Sequence, residues 1–297
     1  MLEELWWLWA ILAGFATGAV IYANQIIKMS SSLMMCYRGV LMCLMLTPFA
    51  FFFDLPSNPW FWVLGIIQGL LISYVDKKTF LCSRIYGGEI TASIKPFVIA
   101  FVFIFWWLIK PSQLFEMLET PTTFILTILC MIGITISLWL IRRKAISKEA
   151  FILLLPALCF SVIIDANNKN ITTIGAKDSL ASAVFWYSWL TALFAGIPNM
   201  IKFLQNRDWQ LIFAPKYMLG GVIVVIFNLA GNVLKNVSMY YAKNPAYVSA
   251  IIALYPIWII IWNIFYYRKQ NAEKFPHCEF SAIILLLASI ILLILIQ

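Results

Sequence analysis

The chain has 297 residues, of which 63% are hydrophobic, 16% aromatic and 11% charged, where soluble domains carry about 45–50% apolar and about 25% charged residues. A water-facing fold cannot hide that much apolar surface in one core, so an ordinary soluble domain is excluded and lipid is the solvent for most of the exterior. The formal charge of +8 would suggest a nucleic-acid partner in a soluble domain. Here the basic residues lie in short loops beside apolar runs and read as topology signals, so no nucleic-acid partner is expected.

At about 20 apolar residues per span, runs bounded by charge, Pro, Gly and Asn predict ten helices, at 5–27, 33–53, 59–80, 90–109, 121–141, 149–168, 180–204, 217–240, 246–267 and 279–296. The first run follows Met1 to Glu4 without a basic region or cleavage site and is expected to stay as a helix. The runs are continuous rather than alternating, which argues against a β-barrel. The fold class is therefore an all-α membrane protein with ten transmembrane helices. Six cysteines, from Cys36 to Cys278, have no metal-ligand spacing and read as buried free thiols.

Features recur after five helices. Val20 to Asn24 matches Ile163 to Asn167, Tyr37 and Pro48 have the spacing of Tyr187 and Pro198, and Pro96 in the fourth span answers Pro256 in the ninth. Five is odd, so the second half would enter the membrane from the opposite side, making two inverted repeats over 1–145 and 146–297. Lys28, Lys77, Arg84, Arg142, Lys202, Arg268 and their neighbours fall on one face, with Lys110, Lys169, Lys177 and Lys243 on the other. That bias places the first face in the cytoplasm and both termini outside.

Ionisable residues at membrane depth cost about 2.5–3.5 kcal/mol each, so they are candidates for function. Thr122 to Ile141 in span five and Phe280 to Ile296 in span ten contain none, whereas the other eight spans between them contribute Arg38, Asp76, Lys77, Lys95, Asp165 and Lys235, with Asn24, Gln68, Asn168, Asn228 and Asn232. Eight helices are thus expected around a polar cavity, with two packed outside against lipid or a second protomer. Asn228, Asn232 and Lys235 fall at i, i+4 and i+7 on one face, and Ser161, Asp165 and Asn168 make a similar face. Lys95 and Lys235 are read as anion-binding groups, Asn228 and Asn232 as hydrogen-bond donors, and Asp165 as a counter-ion whose protonation could couple transport. Arg38, Asp76, Asn24, Asn168, Trp186, Tyr187 and Tyr255 complete the candidate substrate site; polar-edged rings suit small zwitterions. Other readings stay open: Asp76 and Lys77 can reach the headgroups, Arg38 can snorkel or pair with Asp76, and Asp165 can pair with Lys235 or Lys95. The interior sum of Arg38, Lys77, Lys95 and Lys235 against Asp76 and Asp165 is +2, favouring a solute with a carboxylate or phosphate.

Ten spans in two five-helix halves, Arg38 in Tyr37 to Gly39, and the prolines of spans four and nine resemble the drug/metabolite transporter superfamily of EamA type. Asp165 to Lys169 is also similar to a segment of S-adenosylmethionine transporters in that superfamily. The resemblance implies an alternating-access carrier with the fifth helix of each half peripheral and both termini cytosolic. It departs from the pattern at Ser188, which stands where the second half would repeat Arg38. The only histidine is His277, in the last loop, and there is no P-loop or nucleophile elbow, so the expectation is no enzyme, no cofactor and no metal. The expected function is secondary transport of a small polar metabolite, an amino acid or derivative, S-adenosylmethionine-like or another anionic or zwitterionic solute. It would be coupled to protons or a counter-solute, in a bacterial inner membrane, with membrane lipid around it and a homodimer through spans five and ten. The alternative is a membrane-embedded enzyme or lipid-handling protein acting on headgroups.

Overall fold

The computed structural model describes residues 4–27, 29–86, 95–141, 148–205, 208–269 and 280–297. Helices dominate these residues and no strand occurs among them. In chain order they are α1 (Trp6–Ile27), α2 (Ser31–Cys36), α3 (Met42–Leu46), α4 (Pro59–Tyr86), α5 (Lys95–Ile109), α6 (Pro111–Leu118), α7 (Pro121–Ile141), α8 (Lys148–Gly175), α9 (Leu180–Gln205), α10 (Pro215–Tyr241), α11 (Pro245–Ile252), α12 (Tyr255–Lys269) and α13 (Phe280–Ile296). Eight helical stretches are long and apolar enough to cross a membrane, nine if α5 and α6 count as one span, and α13 is a shorter apolar helix.

The helices follow from local chemistry. Continuous apolar runs must satisfy every backbone group internally once water is absent. Hydroxyls inside them turn back on their own helix: Thr17, Thr79, Ser161 and Thr191 each donate to the carbonyl four residues earlier. Ser30 caps α2 by accepting from the Leu33 amide, and Asn244 caps α11 by accepting from the Ala246 amide at 2.9 Å.

Several boundaries differ from the sequence reading. α8 runs on to Gly175 and α4 to Tyr86, each beyond the apolar run. The stretch after Ile109, expected as a loop, contains α6, bent 100° from the preceding helix. Pro111 has no amide to continue α5, so the chain restarts at a new angle. Ten spans were expected; the two that fall short of the length are α5, cut off by the bend before α6, and α13, while the stretch Ser31–Phe52 qualifies as a whole despite the π-helical interruption Tyr37–Leu41. Between α11 and α12 the chain breaks at Ala253 and Leu254, where Pro256 cannot bond the Ile252 carbonyl.

Packing is pairwise. α1 lies along α10 and α4 along α8; α4 also contacts α9, while the π turn and α3 contact α10. α5 packs on α8, and α1 on α11 and α12. α2 and the π turn meet α9, α5 meets α11, and α7 meets α13. The tightest crossing is at Gly39 and Gly196: a Cβ on Gly196 would lie 2.8 Å from the Val40 amide nitrogen, and one on Gly39 would overlap the Gly196 backbone. Small residues let helices approach this closely where lipid supplies no hydrophobic drive between them.

Candidate functional site

α1 and α10 run antiparallel, because the Ser238 hydroxyl donates to the Trp6 carbonyl at one end while Gly220 meets Ile27 at the other. Between them and their neighbours lies a cavity of about 240 Å³. Its described lining comes from α1, α3, α4, α5, α8, α9, α10, α11 and α12 together with the π turn, and α7 and α13 contribute none of it. α7 and α13, which carry no charged residue, pack on each other instead.

Two ion pairs face this space. The Arg38 guanidinium bonds the Asp76 carboxylate, and the Lys235 ammonium bonds Asp165 Oδ1 at 2.7 Å. The Ser249 hydroxyl donates to Asp165 Oδ2, also at 2.7 Å, so α8, α10 and α11 converge on one carboxylate. The four charged side chains retain 15% to 25% exposure, which marks them as cavity-facing rather than sealed. Tyr37 packs against Gly221 near the start of α10, and Lys235 lies fourteen residues further along. At 1.5 Å per residue that is about 21 Å along α10, so the two pairs stand at different depths of the cavity. Thr17, Asn228 and Asn232 occupy the depth between them, and the Asn228 amide meets Met42 Sδ at 3.2 Å.

The π turn explains the Arg38 end. An extra residue in one helical turn shifts the register, and over Tyr37 to Gly39 the chain does three things at once. Tyr37 donates its hydroxyl to the Ile212 carbonyl at 2.6 Å, Arg38 meets the cavity, and Gly39 touches Gly196. The opposite wall is held by the fully buried Gln68. Its amide donates to the Ile164 carbonyl at 2.8 Å and to the Tyr187 hydroxyl at 3.1 Å, and accepts from Asn167 at 3.1 Å.

Of the twelve candidate residues, Arg38, Asp76, Asp165, Asn168, Tyr187, Asn228, Asn232, Lys235 and Tyr255 line the cavity. The Lys95 side chain lies outside the described residues, as do His277 and Cys278. Trp186 is not part of the lining: it stands in an aromatic cluster with Phe185, Trp189 and Trp62, its ring nitrogen donating to the Phe53 carbonyl at 3.3 Å. Asn24 is also absent from it, because it lies toward the end of α1 beyond the cavity, with its Oδ1 buried and unbonded.

Of the four cations in the expected surplus of +2, Lys77 is corrected, while the Lys95 side chain lies outside the described residues. Lys77 is adjacent to Asp76, hence about 100° around the helix from it, and is exposed beside Lys202 instead of facing inward. The described lining therefore carries two cations and two anions. Lys169 is no loop residue: it is buried within α8, and its ammonium donates to the carbonyls of Met239 at 2.9 Å, Tyr240 at 3.4 Å and Ala242. These are orphan carbonyls at the end of α10, which a cation satisfies well. Cys159 is exposed, whereas Cys36, Cys43, Cys82 and Cys130 are buried as expected of free thiols. Thr17, Thr191 and Ser249 line the cavity without having been singled out, since isolated hydroxyls in apolar runs carry no sequence signal. Among the described residues no group of three His, Cys, Asp or Glu side chains could hold a metal ion.

No family model matches this chain, and no curated protein matches it.

Proposed function

We propose that the protein is a secondary transporter that moves a small zwitterionic metabolite, of the amino-acid class, by alternating access through the central cavity. One observation carries the reading: two partly exposed ion pairs stand inside an apolar helix bundle and face the same cavity. Charges at membrane depth are costly and pair or line a pathway. A structural pair needs no access to a cavity, yet these keep it. A zwitterion can exchange with each pair, its carboxylate taking Arg38 or Lys235 and its ammonium taking Asp76 or Asp165, without leaving an uncompensated charge. The described lining, with two cations and two anions, supports such a solute.

The same proposal includes ten spans in two inverted five-helix repeats, at 1–145 and 146–297, and membership of the drug/metabolite transporter superfamily. The packing supports the repeat. Taking the spans in order, adding five to each partner turns the pairing of the first and eighth into that of the sixth and third. The same step turns the fourth with the sixth into the ninth with the first. The second with the seventh, the fourth with the ninth and the fifth with the tenth map onto themselves. A bacterial inner membrane is the proposed location.

The test is counterflow in proteoliposomes. Vesicles preloaded with a mixture of unlabelled amino acids should accumulate a labelled one, and Asp165→Asn should abolish the signal while the protein still purifies as a monodisperse species. Absence of counterflow for every amino acid, with chemical change or flipping of lipid instead, would overturn the reading in favour of headgroup chemistry.

A further inference from the structure

A second cavity, of about 150 Å³, lies at the end of the bundle away from Arg38. It sits under α6, which the 100° bend swings out of the line of α5. A helix turned so far from the membrane-crossing direction runs along the interface, and α6 exposes Phe115 and Leu118 beside the cavity. The floor is built: Asn244 is 2% exposed and Tyr247 1%. The Tyr247 hydroxyl contacts Met117 Sδ at 3.8 Å and accepts from the Gln297 amide at 3.3 Å. Gln113 uses its carbonyl to take the Trp106 ring N–H at 2.7 Å, which leaves its NH₂ group for something else.

Glu116 and Lys243 line this cavity from different segments. Among the described residues neither has a hydrogen-bond or ion-pair partner. A carboxylate and an ammonium that share a pocket without meeting are the two halves of a site for a molecule with the reverse pair of charges. Leu108 and Leu295, 73% and 78% exposed, flank the same end of the bundle and give acyl chains an apolar track. We propose that this pocket holds the headgroup of a zwitterionic phospholipid with a primary ammonium, the ammonium on Glu116 and the phosphate on Lys243 and the Gln113 amide. A primary ammonium donates to a carboxylate, which a quaternary one cannot.

The site does not depend on transport, so its test reads binding. The purified full-length protein is titrated with short-chain phosphatidylethanolamine, phosphatidylcholine and phosphatidylglycerol and with free phosphoethanolamine, and bound lipid is read by native mass spectrometry. The ethanolamine lipid should bind about tenfold more tightly than the glycerol lipid, the worth of one charge-assisted hydrogen bond. Glu116→Gln should erase that preference and leave the glycerol lipid unchanged, while Lys243→Ala weakens both lipids by about tenfold. Glu116 is exposed, so its variant keeps the fold. Equal binding of the two lipids to the unaltered protein, or an intact preference in Glu116→Gln, would overturn the proposal. Free phosphoethanolamine binding as tightly as its lipid would overturn the lipid source.

Discussion

The two ends of the central cavity are built differently. At the Lys235 end, ordinary helices supply an ion pair from positions that helical spacing already aligns, and Ser249 adds a third group from α11. At the Arg38 end the pair with Asp76 depends on backbone irregularity, a π turn wedged against a glycine crossing. One end is held by side-chain chemistry and the other by how closely two backbones approach. Substitutions at the first should therefore damage charge recognition, and at the second the packing itself.

The largest effect is expected at the Lys235 end. Lys235→Ala should reduce counterflow to background and remove the ammonium from Asp165, lowering stability by about 1–3 kcal/mol, less than for a sealed pair because both groups keep some water. Replacing both, as Lys235→Met with Asp165→Leu, should recover the stability without the transport. If the double variant still transports, the pair is no part of the path.

Next comes the crossing. Gly196→Val should cost about 1–3 kcal/mol by overpacking against the Val40 amide and Gly39, read as a lower melting temperature and weaker transport. An unchanged melting temperature would mean that the two helices part freely. Arg38→Lys tests the side chain apart from the crossing: the charge stays but the planar fork is lost, so affinity should drop about tenfold while the packing held by Gly39 and Gly196 stays intact. Substitution of Lys235 by Arg would be the matching control, and equal losses at both ends would erase the distinction drawn between them.

The smallest effect lies outside the membrane. Asp178 accepts from both the amide and the hydroxyl of Ser57 at 2.8 Å, and these bonds hold its carboxyl below the usual carboxylate range. A carboxylate depressed in the folded protein contributes stability above its unfolded value, about 3.9, and loses it as the pH falls through the lower folded value. Asp178→Asn should therefore flatten the fall in melting temperature below about pH 4 and leave it unchanged at pH 7 apart from a small constant offset. An identical acid limb in the variant would remove this contact from the pH dependence.

The polar stripes of α8 and α10 were legible because a 3.6-residue period places Asp165, Asn168, Asn228, Asn232 and Lys235 on inward faces whatever the neighbours are. The isolation of α7 and α13 from the cavity was legible for a similar reason, since a run without polar atoms has nothing to offer one. The π turn was not: Tyr37, Arg38 and Gly39 carry no local signal for an extra residue, and the turn exists where Gly196 lets α9 come close. Ser249 and Lys169 show the same limit. A hydroxyl in an apolar run becomes a carboxylate partner only when α11 meets α8, and a lysine that reads as a loop marker becomes a helix cap only when α10 ends beside it.

By itself, then, the chain's composition and periodicity determined that it is helical, that lipid surrounds it, and which helices turn polar faces inward, because those follow from backbone hydrogen bonding and helical geometry. Tertiary structure alone decided which cation meets which anion, that the described lining is balanced, and that Lys77 and Trp186 stand away from it. Ion pairing acts over a few ångströms between helices far apart in sequence, and only the packed bundle brings those helices to that distance.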